Sequence, residues 1–258
     1  MLRRFARAVG PPVLLLTMLL VLWETWVQFA AVDPSVVAPP SRVARALTGN
    51  AGVLLHHAAT TLGETAVGLV VGAVLGVAVA ILIAAVPLAR RAIEPLLVTL
   101  QTVPPIVLAP ILVLALGFGW APRIVVVVLI VFFPVAIAAA GGFLTADSDQ
   151  VDLIRSFGGS EVEVFRRVRL PGATPAIFDG LRIAAAYSVA GAAIAEQIGG
   201  ARSGLGLFIA RSQRSFRADQ VIAGVVVIAI LSLIVYAAVS VIGRRATPWR
   251  AAGPGDAL

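Results

Sequence analysis

The chain has 258 residues, 60% hydrophobic and 13% charged, with a net charge of +7. A soluble domain is roughly half apolar and a quarter charged, so the composition excludes one and implies an all-α polytopic membrane protein. All twenty basic residues are arginine and there is no cysteine, which excludes a lysine-bearing Walker phosphate loop, disulfides, thiol nucleophiles and thiolate metal sites.

The basic start, Met1 to Arg7, runs into an apolar stretch that passes Trp23 and Trp26 without a small-residue cleavage site. It reads as a retained first span rather than a cleaved signal. A bilayer core needs about 20 apolar residues per helix. Six stretches meet that length: roughly 12–31, 62–86, 95–116, 122–143, 175–197 and 221–243. Pro104, Pro105 and Pro110 break the third and Pro134 the fourth, either to line a pathway or as packing kinks. Gly68, Gly72 and Gly76 give the second span a face for close helix packing.

The predicted organisation is a cytoplasmic segment over 1–10, a transmembrane domain over 11–243 with a charged loop at 147–171, and a disordered cytoplasmic tail over 244–258. With the N-terminus inside, the inner side holds Arg3, Arg4, Arg7, Arg90, Arg91, Arg155, Arg166, Arg167, Arg169, Arg244, Arg245 and Arg250. The outer side holds Arg42, Arg45, Arg123, Arg202, Arg211, Arg214 and Arg217, so twelve against seven puts both termini in the cytoplasm.

Adjacent His56 and His57 point about 100° apart on a helix, a poor metal clamp and better read as an interfacial pair. Glu24, deep in the first span, calls for a partner on another helix. Glu64, at the outer end of the second span, is expected to be solvated, and Asp179 and Arg182 are spaced to pair. Glu196 ends the fifth span, where it contacts solute, gates the pathway or caps the helix. Arg211, Arg214 and Arg217 share a face after the apolar run from Leu205 to Ile209; they attract an acidic partner or anionic solute, or rest against water and lipid phosphate.

The island from Asp152 to Pro171 is the most informative segment. Asp147, Ser148 and Asp149 supply N-cap oxygens for a helix reaching about Phe157, with Val151, Ile154 and Phe157 as its apolar stripe. Gly158-Gly159 ends it, and Ser160 to Glu163 forms a capping box for a second helix with Val162, Phe165 and Val168 on its apolar face. Pro171 is expected to stop that helix. Such a hinge docks a protein, lies on lipid headgroups or anchors topology.

Gly158, then nine residues, then Val168-Arg-Leu-Pro171 resembles the EAA loop of binding-protein-dependent ABC importer permeases. Asp152-Leu-Ile154 stands where Glu-Ala-Ala is usual, keeping the acid but losing both small residues. Pro39 to Leu47, Gln101-Thr-Val-Pro-Pro105, Gly117-Phe-Gly119, Gly180-Leu-Arg182, Ala195-Glu196 and Gly204-Leu-Gly206 are similar to the nitrate/sulfonate/taurine branch. Within it, Gln101-Thr-Val-Pro104 and Phe132-Phe-Pro134 look closer to permeases for thiamine-pyrimidine precursors or riboflavin.

The resemblance implies a permease subunit, a homodimer by expectation, in a bacterial inner membrane. Its coupling residues would be Asp152, Gly158, Gly159, Ser160, Glu163, Val168, Leu170 and Pro171. Two copies of a cytoplasmic subunit would bind ATP and Mg, so this chain itself would carry no cofactor, metal or catalytic residue. An extracytoplasmic binding protein would deliver the solute, lipid would surround the spans, and nothing points to nucleic acid. Candidate pathway residues are Gln101, Thr102, Pro104, Tyr187, Ser188 and Glu196. An ion-driven secondary transporter is the alternative; it calls for repeated halves and midplane acids on broken helices. A membrane enzyme would need a catalytic constellation, and the sequence offers no convincing one.

Overall fold

The computed structural model describes residues 2–30, 33 and 35–249. Of the tail expected to be disordered over 244–258, residues 250–258 lie outside them, as do the side chains of Arg3, Arg4 and Arg7, while 244–246 are the last residues of the helix Ala218–Ala246.

Helix α1 (Leu2–Phe29) is followed by a short α2 (Pro40–Gly49). Glu24 of α1 accepts the backbone N–H of Ser41 at 2.9 Å and its hydroxyl at 2.8 Å, so the expected off-helix partner is on α2. Helix α3 (Ala51–Ala85) has 35 residues. At 1.5 Å per residue it is about 50 Å long and overshoots a bilayer core of about 30 Å.

Helix α6 (Trp120–Leu144) follows the pair α4 (Pro87–Leu100) and α5 (Ala109–Leu116), which are separated by a single 3₁₀ turn at Pro105–Leu108. The third expected span is therefore not one helix. It is a pair bent by 85° at the break, with Pro105 and Pro110 each opening a helical piece rather than interrupting one. The fourth expected break does not occur: α6 runs unbroken through Pro134, held between α3 and α9.

Helices α7 (Ser148–Ser156) and α8 (Glu161–Val164) lead through a π turn (Phe165–Arg169) into α9 (Leu170–Ile198). Helices α10 (Leu205–Arg214) and α11 (Ala218–Ala246) complete the described chain.

Close packing sets the helix directions. Gly68 meets Val127, Gly72 meets Val128 and Val131, and Gly76 meets Phe132, Val135 and Ala136, so α3 and α6 run parallel. A Cβ on Gly72 would lie 2.7 Å from the Val128 carbonyl oxygen, which only glycine avoids. Gly142 meets Ala173 while Gly180 meets Pro134, so α9 runs antiparallel to α6. Gly243 on α11 meets Phe178 on α9.

Two adjacent parallel helices need a return crossing between them, and the bent α4–α5 pair provides it. One end of the bundle thus gathers the C-terminus of α3, the 147–171 segment and the end of α11. The other end gathers α2, α10 and the start of α6. Between them lies a core of Val127, Val131, Val135, Ala184 and Ala192.

Candidate functional site

At the first end, the charged hinge folds as its residues dictate. The Asp147 side chain caps α7 by accepting from Asp149 N–H at 2.9 Å. Gly158 has φ +80° and donates to the Arg155 carbonyl, while Gly159 donates to the Ile154 carbonyl, the paired bonds of a Schellman end. Ser160 and Glu163 form the reciprocal capping box. Val151, Val164 and Val168 are buried together beneath the hinge with Ile154 alongside. Arg155 joins the two helices through Asp152 at 3.7 Å and Glu161 at 2.7 Å.

Two expectations need correction here. Pro171 does not stop the second helix; residues 161–198 form one helical run of 38 residues. The π turn shifts the hydrogen-bond register, with Leu170 donating to the Phe165 carbonyl, and Pro171 falls at the first positions of α9, where a missing N–H costs little. The apolar stripe also divides. Phe157 and Val162 point outward, joining Leu153 as exposed apolar side chains, and Val164 takes the buried place. Phe165 is partly buried and stacks on Phe143 at 5.7 Å.

A cavity of about 370 Å³ lies where the α4–α5 break meets α6 and α9. Three of the candidate pathway residues, Gln101, Pro104 and Tyr187, line it with Pro105, Phe133 and Gly191. None of its lining residues is charged. The other candidate pathway residues, Thr102, Ser188 and Glu196, are not on its wall. Thr102 donates to the Thr99 carbonyl at 2.7 Å, and Ser188, a neighbour of Tyr187 turned about 100° away, is buried against the Ala185 carbonyl.

Glu196 is buried in a cluster at the opposite end from the hinge. Its carboxylate accepts the Thr61 hydroxyl at 2.7 Å and the Gly206 N–H at 2.7 Å. Thr61 accepts the Leu205 N–H at 2.9 Å, and His57 Nδ1 accepts the Gly204 N–H at 2.8 Å. Arg123 pairs with Glu64 and donates to the Gly119 carbonyl at 2.8 Å. The expectation of a solvated Glu64 is overturned, because it is fully buried against Arg123, 59 positions along the chain.

Sequence spacing along α3 could not reveal that partner. Gly204-Leu-Gly206 carried a signal that can now be explained. A Cβ on Gly204 would collide with the Glu196 carboxylate, and one on Gly206 with the Ala193 carbonyl. Asp179 and Arg182 pair at 2.6 Å, as their spacing predicts.

The chain is thus a polytopic membrane bundle with an apolar cavity beside a broken span and a capped polar hinge at one end. Residues 68–248 match the family described as binding-protein-dependent transport system inner membrane component, and the chain belongs to that family. It is similar to the formylaminopyrimidine transport permease ThiX of Halalkalibacterium halodurans, 31% identical over 239 residues and covering 93% of this chain and 95% of the relative. It is also similar to the taurine transport permease TauC of Escherichia coli, 30% identical, covering 91% and 87%. The fold matches a chain of the inward-facing MetNI methionine ABC transporter, with TM-score 0.67 and 21% identity, covering 77% of this chain and 98% of that one. This chain is therefore a membrane-spanning permease subunit of an ABC importer, an inner-membrane component that works with an ATP-binding subunit and a binding protein.

Proposed function

We propose that this subunit pairs with a second copy of itself and passes a small, uncharged, planar heteroaromatic solute, of the kind ThiX is named for. The cavity carries this reading. Phe133 and Tyr187 offer aromatic faces, the Gln101 amide offers a donor and an acceptor, and no lining side chain is charged to hold a sulfonate or nitrate. Tyr187 is 65% exposed in the single chain, which leaves its ring available to a shared pathway between two copies.

A second reading, a taurine-like solute, is favoured by the likeness to TauC and by the arginines of the outer loops. In either case the 147–171 hinge docks on the ATP-binding subunit, with Leu153, Phe157 and Val162 as its apolar contact. That makes the hinge end cytoplasmic and puts both termini there. ATP, Mg and hydrolysis belong to two copies of the partner, and this chain contributes positioning only.

The test is uptake into proteoliposomes holding this chain, its ATP-binding subunit and its binding protein. ATP-dependent uptake of a labelled formylaminopyrimidine, with taurine excluded, is the expected result. Uptake of taurine alone would replace the first solute reading with the second.

A further inference from the structure

Helix α10 has no cap of its own. It opens at Gly204, which has no side chain to accept from the N–H groups that follow. The cap comes from two other helices. His57 Nδ1 of α3 takes the Gly204 N–H at 2.8 Å, and the Thr61 hydroxyl of α3 takes the Leu205 N–H at 2.9 Å. The Glu196 carboxylate of α9 takes the Gly206 N–H at 2.7 Å. Thr61 also donates to Glu196 at 2.7 Å, which ties α3 and α9 into one network around the start of α10. All three side chains are buried, and the carboxylate lies at the positive end of the α10 dipole.

The capped end bears on the helix that walls the cavity. A Cβ on Gly206 would collide with the Ala193 carbonyl oxygen, so the α10 backbone lies directly on α9. Gly191 and Ile194, on either side of Ala193 in sequence, line the cavity. The loop between α5 and α6 holds the end of α9 from another direction, with the Gly119 N–H donating to the Gly199 carbonyl at 3.2 Å. A further contact joins α3 to the segment before α10, where the Thr60 and Ser203 hydroxyls lie 2.9 Å apart. Any shift of α10 either strands three buried N–H groups or carries α9 with it.

We propose that His57, Thr61 and Glu196 are positioning residues of the translocation step: none of them lines the cavity, and together they fix α10 as a brace that holds the cavity-lining stretch of α9 in place. This rests on the reading that the cavity belongs to the pathway. It also decides among the roles open to Glu196 from sequence, because this acid caps a helix, but one other than its own.

The test uses proteoliposomes holding the assembled transporter with its ATP-binding subunit and binding protein. Labelled formylaminopyrimidine and labelled taurine are the probes, and wild-type uptake of either sets the baseline. The readouts are solute moved per ATP hydrolysed and the thermal midpoint. Thr61→Val keeps the side-chain shape but neither accepts from Leu205 nor donates to Glu196. Solute moved per ATP is expected to fall on the order of tenfold, the effect of a lost pair of buried hydrogen bonds, while Thr61→Ser keeps the wild-type ratio. His57→Leu, which removes the Gly204 acceptor, and His57→Asn, which returns one, are expected to show the same split.

The chain has no cysteine, so Thr60→Cys with Ser203→Cys adds one disulfide across the 2.9 Å contact. In the Thr61→Val background, oxidation of that pair pins the start of α10 to α3 and restores the ratio, and reduction of the same preparation removes it. A folding defect does not imitate this reversal. A wild-type ratio for Thr61→Val, where Tyr187→Ala slows uptake, overturns the brace and leaves the cavity as the pathway. A loss in Thr61→Val that the formed disulfide does not recover assigns these side chains to folding alone and overturns the brace as well. Wild-type behaviour of both Thr61→Val and Tyr187→Ala overturns the brace together with the cavity reading it rests on.

Discussion

At the scale of single residues, the buried cluster of Glu64, Arg123 and Glu196 is what fastens the end opposite the hinge. Arg123 is the one cation bonded within it, facing two carboxylates that are fully or almost fully buried. Removing one partner of a buried pair strands the other and costs about 3–5 kcal/mol. Arg123→Ala is therefore expected to lower the thermal midpoint sharply in detergent. Glu64→Gln should lower it less, because the amide still accepts a hydrogen bond. A midpoint within error of wild type for Arg123→Ala would show that the cluster bears no load.

Sequence reading singled out both acids of the cluster but expected Glu64 to be solvated. Burial there depends on an arginine from another span, and helix periodicity carries no information about that pairing. Glu24 was easier to read, since an acid so deep in an apolar span needs a partner wherever the chain provides one.

At the scale of elements, the hinge was the most legible part of the chain, because caps and glycines act locally. Asp147, Gly158, Ser160 and Glu163 all occupy the roles that their spacing predicts. Pro171 was misread because a proline rule assumes α-helical register, and the π turn before it changes that register. The break in the third span was visible in its prolines, but the 85° bend that makes it a cavity wall was not.

Gly158→Ala meets no neighbouring atom, so backbone strain alone acts there, at about 1 kcal/mol. The expected result is a modest loss of ATPase coupling with the bundle intact. Gly72→Leu is the contrasting case. Its Cβ would press on the Val128 carbonyl and Val131, and overpacking of about 1–3 kcal/mol or more should reduce the yield of folded protein. Equal effects of the two substitutions on folded yield would contradict this division between hinge and packing face.

At the scale of the whole molecule, the parallel run of α3 and α6 fixes how the chain is threaded. It requires the α4–α5 pair to return the chain, and it gathers the hinge and the end of α11 at one end. The fold was legible from hydropathy because six apolar stretches leave few arrangements. Of the candidate pathway residues, Gln101, Pro104 and Tyr187 line the cavity, whereas Thr102 and Ser188 turn to carbonyls of their own helical turns and Glu196 is held in the buried cluster, placements that spacing along one helix does not reveal. Tyr187→Ala, which removes an aromatic wall, is expected to slow solute uptake while leaving binding-protein affinity unchanged. Unaltered uptake would move the pathway away from this cavity.

In the proposed function, the 147–171 hinge is where ATP hydrolysis reaches this subunit. Disulfide or bifunctional cross-linking from Ser160→Cys in the assembled transporter tests it most directly. A cross-link to the ATP-binding subunit whose yield changes when ATP is added is the predicted result. No cross-link from Ser160→Cys, together with one from a cysteine at Arg214 on the opposite end, would contradict it.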